Sequence, residues 1–240
     1  MSQCVARPSA RESGAVNVFG WVLLLAVVVA AVGDWAAVVR RDRSLEQLTK
    51  PAVIVLLLAF AWLSHAEAVA SGRWLLLGLL LSLAGDALLL GRDPSDERFT
   101  RGLVAFLLAH LAYLGALLTM GSAAPAWLGV TLVVVALGLV VASSRRLRPL
   151  VSRDRVTGTA VAAYAIVLGV VTVVAWVRGQ VLVGLGLTLF GVRDGLSAWS
   201  RFGRRPLGSG LELAEVAATV AYHLAQVAVV IGVLRPDLLG

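Results

Sequence analysis

The chain reads as an all-α protein, a polytopic membrane bundle of eight transmembrane helices. Three observations predict this. Of 240 residues, 59% are hydrophobic and 15% charged, whereas soluble domains carry about 25% charged residues. The apolar residues gather into eight windows of 18 to 24 residues, each long enough at about 1.5 Å per residue to cross a hydrocarbon core about 30 Å thick. The basic residues alternate between the two sides of that pattern. Connections after windows 1, 3, 5 and 7 hold 15 of the 21 Lys and Arg, while the other connections and the two ends hold 5. The positive-inside rule then places the odd-numbered connections in the cytoplasm and both termini outside, as in a bacterial cytoplasmic membrane.

Window 1, Val16–Val39, follows Arg7 and Arg11 and contains Ala30 and Ala31, small residues of the kind found at a cleavage site, which resembles a cleaved signal. It is longer than the roughly 7 to 15 apolar residues of a signal core, so it is read as a helix. Asp34 lies near its cytoplasmic end and is expected to reach water. Window 2, Pro51–Ala70, starts behind Lys50, with Pro51 as a helix starter and His65 and Glu67 at the outer interface. Window 3, Trp74–Gly91, contains the stretch SLAGDALLL with Asp86 in its middle, and window 4, Gly102–Met120, carries His110 and Tyr113. Windows 5 and 6, Pro125–Ala142 and Val156–Val177, are almost wholly apolar. Window 7, Gln180–Ser200, holds Arg193 and Asp194; window 8, Glu212–Leu234, holds Tyr222, His223 and Gln226. Six of seven tryptophans (Trp21, Trp35, Trp74, Trp127, Trp176, Trp199) fall near window ends, as in an interfacial belt. No connection is long enough for a soluble domain, so residues 1–15 are read as an extramembrane tail and 16–240 as one transmembrane domain.

A weak repeat runs beneath the hydropathy. Gly78 precedes Asp86 by eight positions, Gly186 precedes Asp194 by eight, and each following window carries a histidine, His110 or His223. Two four-helix halves so related would share orientation, a parallel repeat.

An ionisable group at mid-membrane costs about 2.5 to 3.5 kcal/mol, so Asp86 and Asp194 are functional candidates by default. Asp86 lies six residues from Arg92 and Asp194 seven from Arg201, about 9 and 10 Å inward. The two carboxyls therefore share a level. His110, Tyr113, Tyr222, His223 and Gln226 lie somewhat deeper and could line the same cavity with Lys50 at its mouth. Ser82, Gly78 and Gly85 beside Asp86, and Gly184, Gly191 and Gly195 beside Asp194, are small enough to let helices approach closely. Each of these groups also has a structural reading: the aspartates as interhelical hydrogen-bonding or ion-pair partners, with Arg193 the obvious counter-ion, the histidines as satisfied interior groups, and Lys50 as an anchor.

Several chemistries have no residues to carry them. The single cysteine, Cys4, excludes an internal disulfide and a cysteine-built metal site, and no HExxH, P-loop or G-x-S-x-G motif occurs. No metal or cofactor is expected. The net charge of +7 is spread by topology, with no basic patch and aromatic partners for nucleic acid. With 20 Arg against one Lys, the composition suggests a GC-rich bacterial genome. What remains is carboxyl and imidazole acid-base chemistry.

The stretches LTKPAVIVLLLAF, GLLLSLAGDALLL, FTRGLVAFLLAHLAYLGAL, FGVRDGLSAWSRFG and AYHLAQVAVVIG, taken in order, resemble the YhhN/TMEM86 family of lysoplasmalogenases over nearly the whole chain after window 1. The resemblance implies an eight-span enzyme that hydrolyses the vinyl ether of lysophospholipid substrates to a fatty aldehyde and a glycerophospho-alcohol. It also implies functional roles for Lys50, Asp86, His110, Tyr113, Asp194, Tyr222 and Gln226. Arg193 departs from the small polar residue usual before the second aspartate. On this reading Asp86, sheltered from water, is the proton donor, and Asp194, held ionised by Arg193, is the stabilising base. His110, Tyr222 and Gln226 position water or substrate, and Lys50 or cytoplasmic arginines receive the phosphate. Two other readings stand beside it: a proton-coupled transporter of small molecules or lipids, which also uses intramembrane carboxyls, and a non-catalytic lipid-binding bundle.

Overall fold

The computed structural model describes residues 18–90, 96–121, 155–202 and 208–235. These form seven helices: α1 (Val18–Arg40), α2 (Arg43–Leu63), α3 (Ala70–Leu89), α4 (Asp96–Thr119), α5 (Arg155–Val177), α6 (Val181–Phe202) and α7 (Gly208–Leu234). Among the described residues there is no strand, and six of the helices, α1 to α5 and α7, are long and apolar enough to cross a membrane. That is the architecture of a multi-pass membrane protein. The expected window Pro125–Ala142 and the tail 1–15 lie outside the described residues, so seven helices are described where the sequence reads eight windows.

Two boundaries move. Asp42 caps α2 by accepting a 3.1 Å hydrogen bond from the Leu45 backbone N–H, so the helix begins eight residues before Pro51. Pro51 therefore sits inside α2 rather than starting it. The window Pro51–Ala70 also breaks at its other end: α2 stops at Leu63, His65 takes a left-handed φ of 57°, and Ala66–Ala68 forms a short 3-10 turn before α3. Hydropathy alone misplaces both ends, because a polar cap and a polar amphipathic turn prolong a helix as well as leucine does. His65 and Glu67 pair at 3.5 Å at this turn, His65 exposed and Glu67 half-buried.

The helices pack mainly as sequence neighbours, α1 on α2, α3 on α4, α4 on α5 and α6 on α7, and α7 also touches α1, α2 and α3. Burial follows from this. Over half of the apolar window of α7 is buried (56%), against 22% for α1. The outer face of α1 presents Phe19, Trp21, Val22, Leu25, Val28, Val29 and Val32 outward, a surface that suits lipid and not water. The core runs through Ile54, Leu57, Leu75, Leu79, Leu117, Leu187, Phe190 and Val229.

Glycine decides which helices come close. A Cβ on Gly78 would stand 2.3 Å from the Tyr113 ring, one on Gly85 2.8 Å from Phe106, and one on Gly186 2.8 Å from the Ala225 carbonyl oxygen. Gly78 and Gly186, eight residues before their aspartates, thus each admit the following helix. The histidines do not correspond in the same way, as their partners below make plain. Gly184 faces Trp176, but Gly191 and Gly195 have no described atom within 4 Å of such a Cβ, so the expected packing role of these two is not met there.

Candidate functional site at the centre of the bundle

Ser82 and Asp86 stand one turn apart on α3, and Tyr222 and Gln226 one turn apart on α7, so each pair lies on one helical face. The pairs meet in opposite order along their helices, with Tyr113 of α4 between them. Tyr222 Oη donates to Asp86 Oδ2 at 2.5 Å, Gln226 Nε2 donates to Tyr222 Oη at 3.3 Å, and Tyr113 Oη donates to Gln226 Oε1 at 3.0 Å. Tyr113 has only one hydroxyl proton, and it is spent on Gln226. Ser82 Oγ, 3.3 Å from Tyr113 Oη, must therefore be the donor of that contact. The result is a directed chain, Ser82 to Tyr113 to Gln226 to Tyr222 to Asp86, with every member buried. Asp86 is 2% exposed, and its second oxygen, Oδ1, is buried without a hydrogen-bond partner among the described residues.

The second carboxyl is built differently. Asp194 on α6 accepts from Tyr164 of α5 at 2.5 Å through Oδ2 and pairs with Arg193 Nη1 at 2.6 Å through Oδ1. Its side chain is 22% accessible and that of Arg193 15%, so this ion pair is less enclosed than Asp86. The Arg193 guanidinium lies 5.1 Å from the centre of the Tyr222 ring and 5.7 Å from that of Phe106. The two carboxyls are therefore linked through one cation and one phenol: Arg193 binds Asp194 and covers the ring whose hydroxyl binds Asp86. Adjacent helical residues diverge by about 100°, yet the long Arg193 side chain folds back onto its neighbour and enters the site.

His110 is boxed by the Phe190, Tyr164 and Tyr113 rings at 5.1, 5.4 and 5.9 Å, each edge to face. Its Nδ1 lies 2.7 Å from the Phe106 carbonyl oxygen. A carbonyl only accepts, so Nδ1 carries a proton and Nε2, buried without a partner among the described residues, is the nitrogen left facing the box. Lys50 lies 5.7 Å over the Tyr222 ring and lines a cleft with Arg43, Glu46, Gln47, Leu89, Leu90 and Asp86. This cleft leads from the α2 end of the bundle to the first carboxyl.

Of the residues expected in one cavity, Ser82, Asp86, Tyr113, Tyr222 and Gln226 come together directly, with Lys50 and Arg193 against them. His110 adjoins the Asp194 side. His223 does not join: its Nδ1 accepts from the Trp35 indole N–H at 3.0 Å, and its Nε2 faces Asp34 Oδ2 at 3.6 Å. Asp34 corrects the expectation most clearly. It is 0% exposed, not solvated, and accepts from Thr49 Oγ1 at 2.8 Å. Its depth on α1 suggested water; the covering by α2 and α7 removes it. Trp35 likewise is a hydrogen-bonding member of the bundle rather than only an interfacial ring. Tyr164 is a further member that the sequence reading does not include, and its one available signal is being the only phenol in window 6. Among the described residues no group of three or more His, Cys, Asp or Glu comes together to hold a metal ion.

Comparison with curated proteins and with solved structures yields no match. A family model does match, over residues 45–233, which includes Lys50, both site carboxyls and every tyrosine bonded to them. By this match across most of its length, the chain belongs to the YhhN family.

Proposed function

We propose that the protein is an intramembrane hydrolase that cleaves the vinyl ether of lysoplasmalogen-type lysophospholipids, releasing a fatty aldehyde and a glycerophospho-alcohol. The observation that carries this reading is the directed hydrogen-bond chain ending on Asp86. Tyr222 occupies Oδ2 as donor, so a proton on this carboxyl belongs on Oδ1, which has no partner among the described residues, in a residue that lines the cleft. A vinyl ether is opened by such an acid. The Asp86 O–H bond breaks as the alkene π pair takes the proton at the carbon β to oxygen, which leaves an oxocarbenium ion. Water adds to the cationic carbon and its surplus proton passes to a carboxylate. The resulting hemiacetal gives up its hydroxyl proton, the C–O bond to the glycerol oxygen breaks as the carbonyl forms, and that oxygen takes up a proton, giving aldehyde and alcohol. No cofactor is called for.

Paired carboxyls divide such work elsewhere in ether chemistry, with one as acid and one as anion beside an oxocarbenium-like transition state. Here the ion pair with Arg193 suits Asp194 to the anionic role. His110 and Gln226 are suited to orient water and the substrate oxygens. Arg43 and Lys50, seven residues apart and so on one face of α2, flank the cleft as receivers for the lipid phosphate. The odd-numbered connections, this end of α2 included, face the cytoplasm of a bacterial membrane on this reading, and substrate enters from the inner leaflet.

The test is aldehyde release from a lysoplasmalogen by purified protein and by Asp86→Asn and Asp194→Asn. A general acid contributes about 10²- to 10⁴-fold, so Asp86→Asn is expected to lose at least about 100-fold while remaining monodisperse in detergent. Undiminished turnover in that variant removes Asp86 as the acid; undiminished turnover in Asp194→Asn removes the second carboxyl.

A further inference from the structure

A second buried cluster adjoins the candidate site and takes no part in the chemistry above. Asp34 and Trp35 come from α1, Thr49 from α2 and His223 from α7. The Trp35 indole is a donor only, so the His223 nitrogen it bonds, Nδ1, must be bare. The proton of a neutral His223 ring therefore sits on Nε2, 3.6 Å from Asp34 Oδ2, and neither atom has a hydrogen-bond partner among the described residues. The indole also stacks on the imidazole, with ring centres 6.4 Å apart and planes at 27°. Asp34 Oδ1 shares the one Thr49 hydroxyl proton with the Leu45 carbonyl oxygen, each at 2.8 Å. Imidazole held at one nitrogen by a fixed donor and faced at the other by a carboxyl has its tautomer and ring plane set from outside.

His223 directly follows Tyr222, and the two rings lie 5.6 Å apart. Their side chains leave α7 about 100° apart, one toward α1 and the other toward Asp86. A rotation of α7 that withdrew the Tyr222 hydroxyl from Asp86 would also pull His223 off Trp35. We propose that Asp34, Trp35 and His223 form a positioning triad through which α1 holds the Tyr222 hydroxyl on Asp86. These are positioning residues, since none of them touches the cleft. Asp34 and Trp35 also precede the residues matched by the family model, 45–233, so the clamp joins α1 to the matched part of the chain.

The triad rests on the hydrolase reading only for its kinetic consequence, and the experiment separates the two. The chain has three histidines, so ¹⁵N-histidine labelling gives three rings, with His223 assigned by its loss in His223→Gln. The expected wild-type ring carries its proton on Nε2. Trp35→Phe keeps an aromatic stack but deletes the indole donor, and is expected to mix the two tautomers. It should also shift the Asp86 carboxyl band in the infrared, identified as the band absent from Asp86→Asn. In the lysoplasmalogen assay kcat should fall about tenfold, the worth of one hydrogen bond, with KM within about twofold. Asp34→Asn, equal in shape, carries the same measurements if Trp35→Phe does not accumulate. A wild-type proton on Nδ1, or an Asp86 band unmoved by Trp35→Phe, overturns the triad whatever the enzyme turns over. A wild-type protein with both spectroscopic signatures but no lysoplasmalogen turnover overturns the hydrolase reading and leaves the triad standing.

Discussion

Tyr222 has one hydroxyl proton, and Asp86 takes it; the same oxygen accepts from Gln226. Both contacts vanish in Tyr222→Phe, which leaves the ring in place between Lys50 and Arg193 but strips Asp86 of its last partner. An unsatisfied buried acceptor costs about 1 to 3 kcal/mol, so the variant should unfold at lower temperature in detergent. With the carboxyl proton no longer directed to one oxygen, aldehyde release should fall about 10- to 100-fold, the rate equivalent of that loss. A normal rate together with a lowered unfolding temperature would make Tyr222 a structural residue only. Of the residues in this network, those on α3, α4 and α7 were legible in the sequence, because polar side chains one turn apart in an apolar helix have to face something polar. Asp34 and Tyr164 were not. Nothing in the α1 sequence says that Thr49 and His223, the latter 189 positions away, will close over the carboxyl of Asp34. Tyr164 has no polar neighbour on its own helix to announce a site, and its partner, Asp194, lies on the next one.

At the scale of the helix, the packing rests on where a side chain is absent. Gly186 and Gly191 belong to the same helix and look alike in sequence, yet their surroundings are opposite. A Cβ on Gly186 would press on backbone of α7, the Ala225 carbonyl at 2.8 Å and the Val229 nitrogen at 3.1 Å, and a carbonyl cannot rotate away as a flexible side chain can. One on Gly191 meets no described atom within 4 Å. Gly186→Ala should therefore destabilise the protein by about 1 to 3 kcal/mol, the usual cost of overpacking. Gly191→Ala should be neutral or stabilise by up to about 1 kcal/mol, through helix propensity. Thermal unfolding of the two purified variants reads the difference directly, and equal losses would mean that α6 and α7 approach otherwise. Small residues around an aspartate mark a seam in the sequence, but a glycine's neighbours are set by the rotation of two helices, which periodicity does not encode. The same limit explains the ends of α2, where a capping aspartate and a left-handed residue, rather than hydropathy, set the boundaries.

Across the whole molecule, α7 is the hub: it meets α1, α2, α3 and α6, and both buried carboxyl clusters close on its two adjacent aromatic residues. Hydropathy could mark apolar windows but could not pick this helix out, since centrality is a property of contacts. Charge placement carries the orientation. The mouth of the cleft, with Arg43 and Lys50, opens at the start of α2, and Ser64 follows the end of the same helix at the opposite face of the bundle. Transferring a Lys or Arg through the hydrocarbon costs about 2.5 to 3.5 kcal/mol each, so the 15 basic residues of the odd-numbered connections should hold that face inside. With Cys4, the single cysteine, replaced by serine, Ser64→Cys should react with a membrane-impermeant thiol reagent in intact spheroplasts. Gln47→Cys, in the cleft lining, should react only after the membrane is opened, and a lysophospholipid should slow that reaction because Gln47 flanks the proposed phosphate receivers. Labelling of Gln47→Cys in sealed spheroplasts would invert the orientation and place the entry of substrate in the outer leaflet.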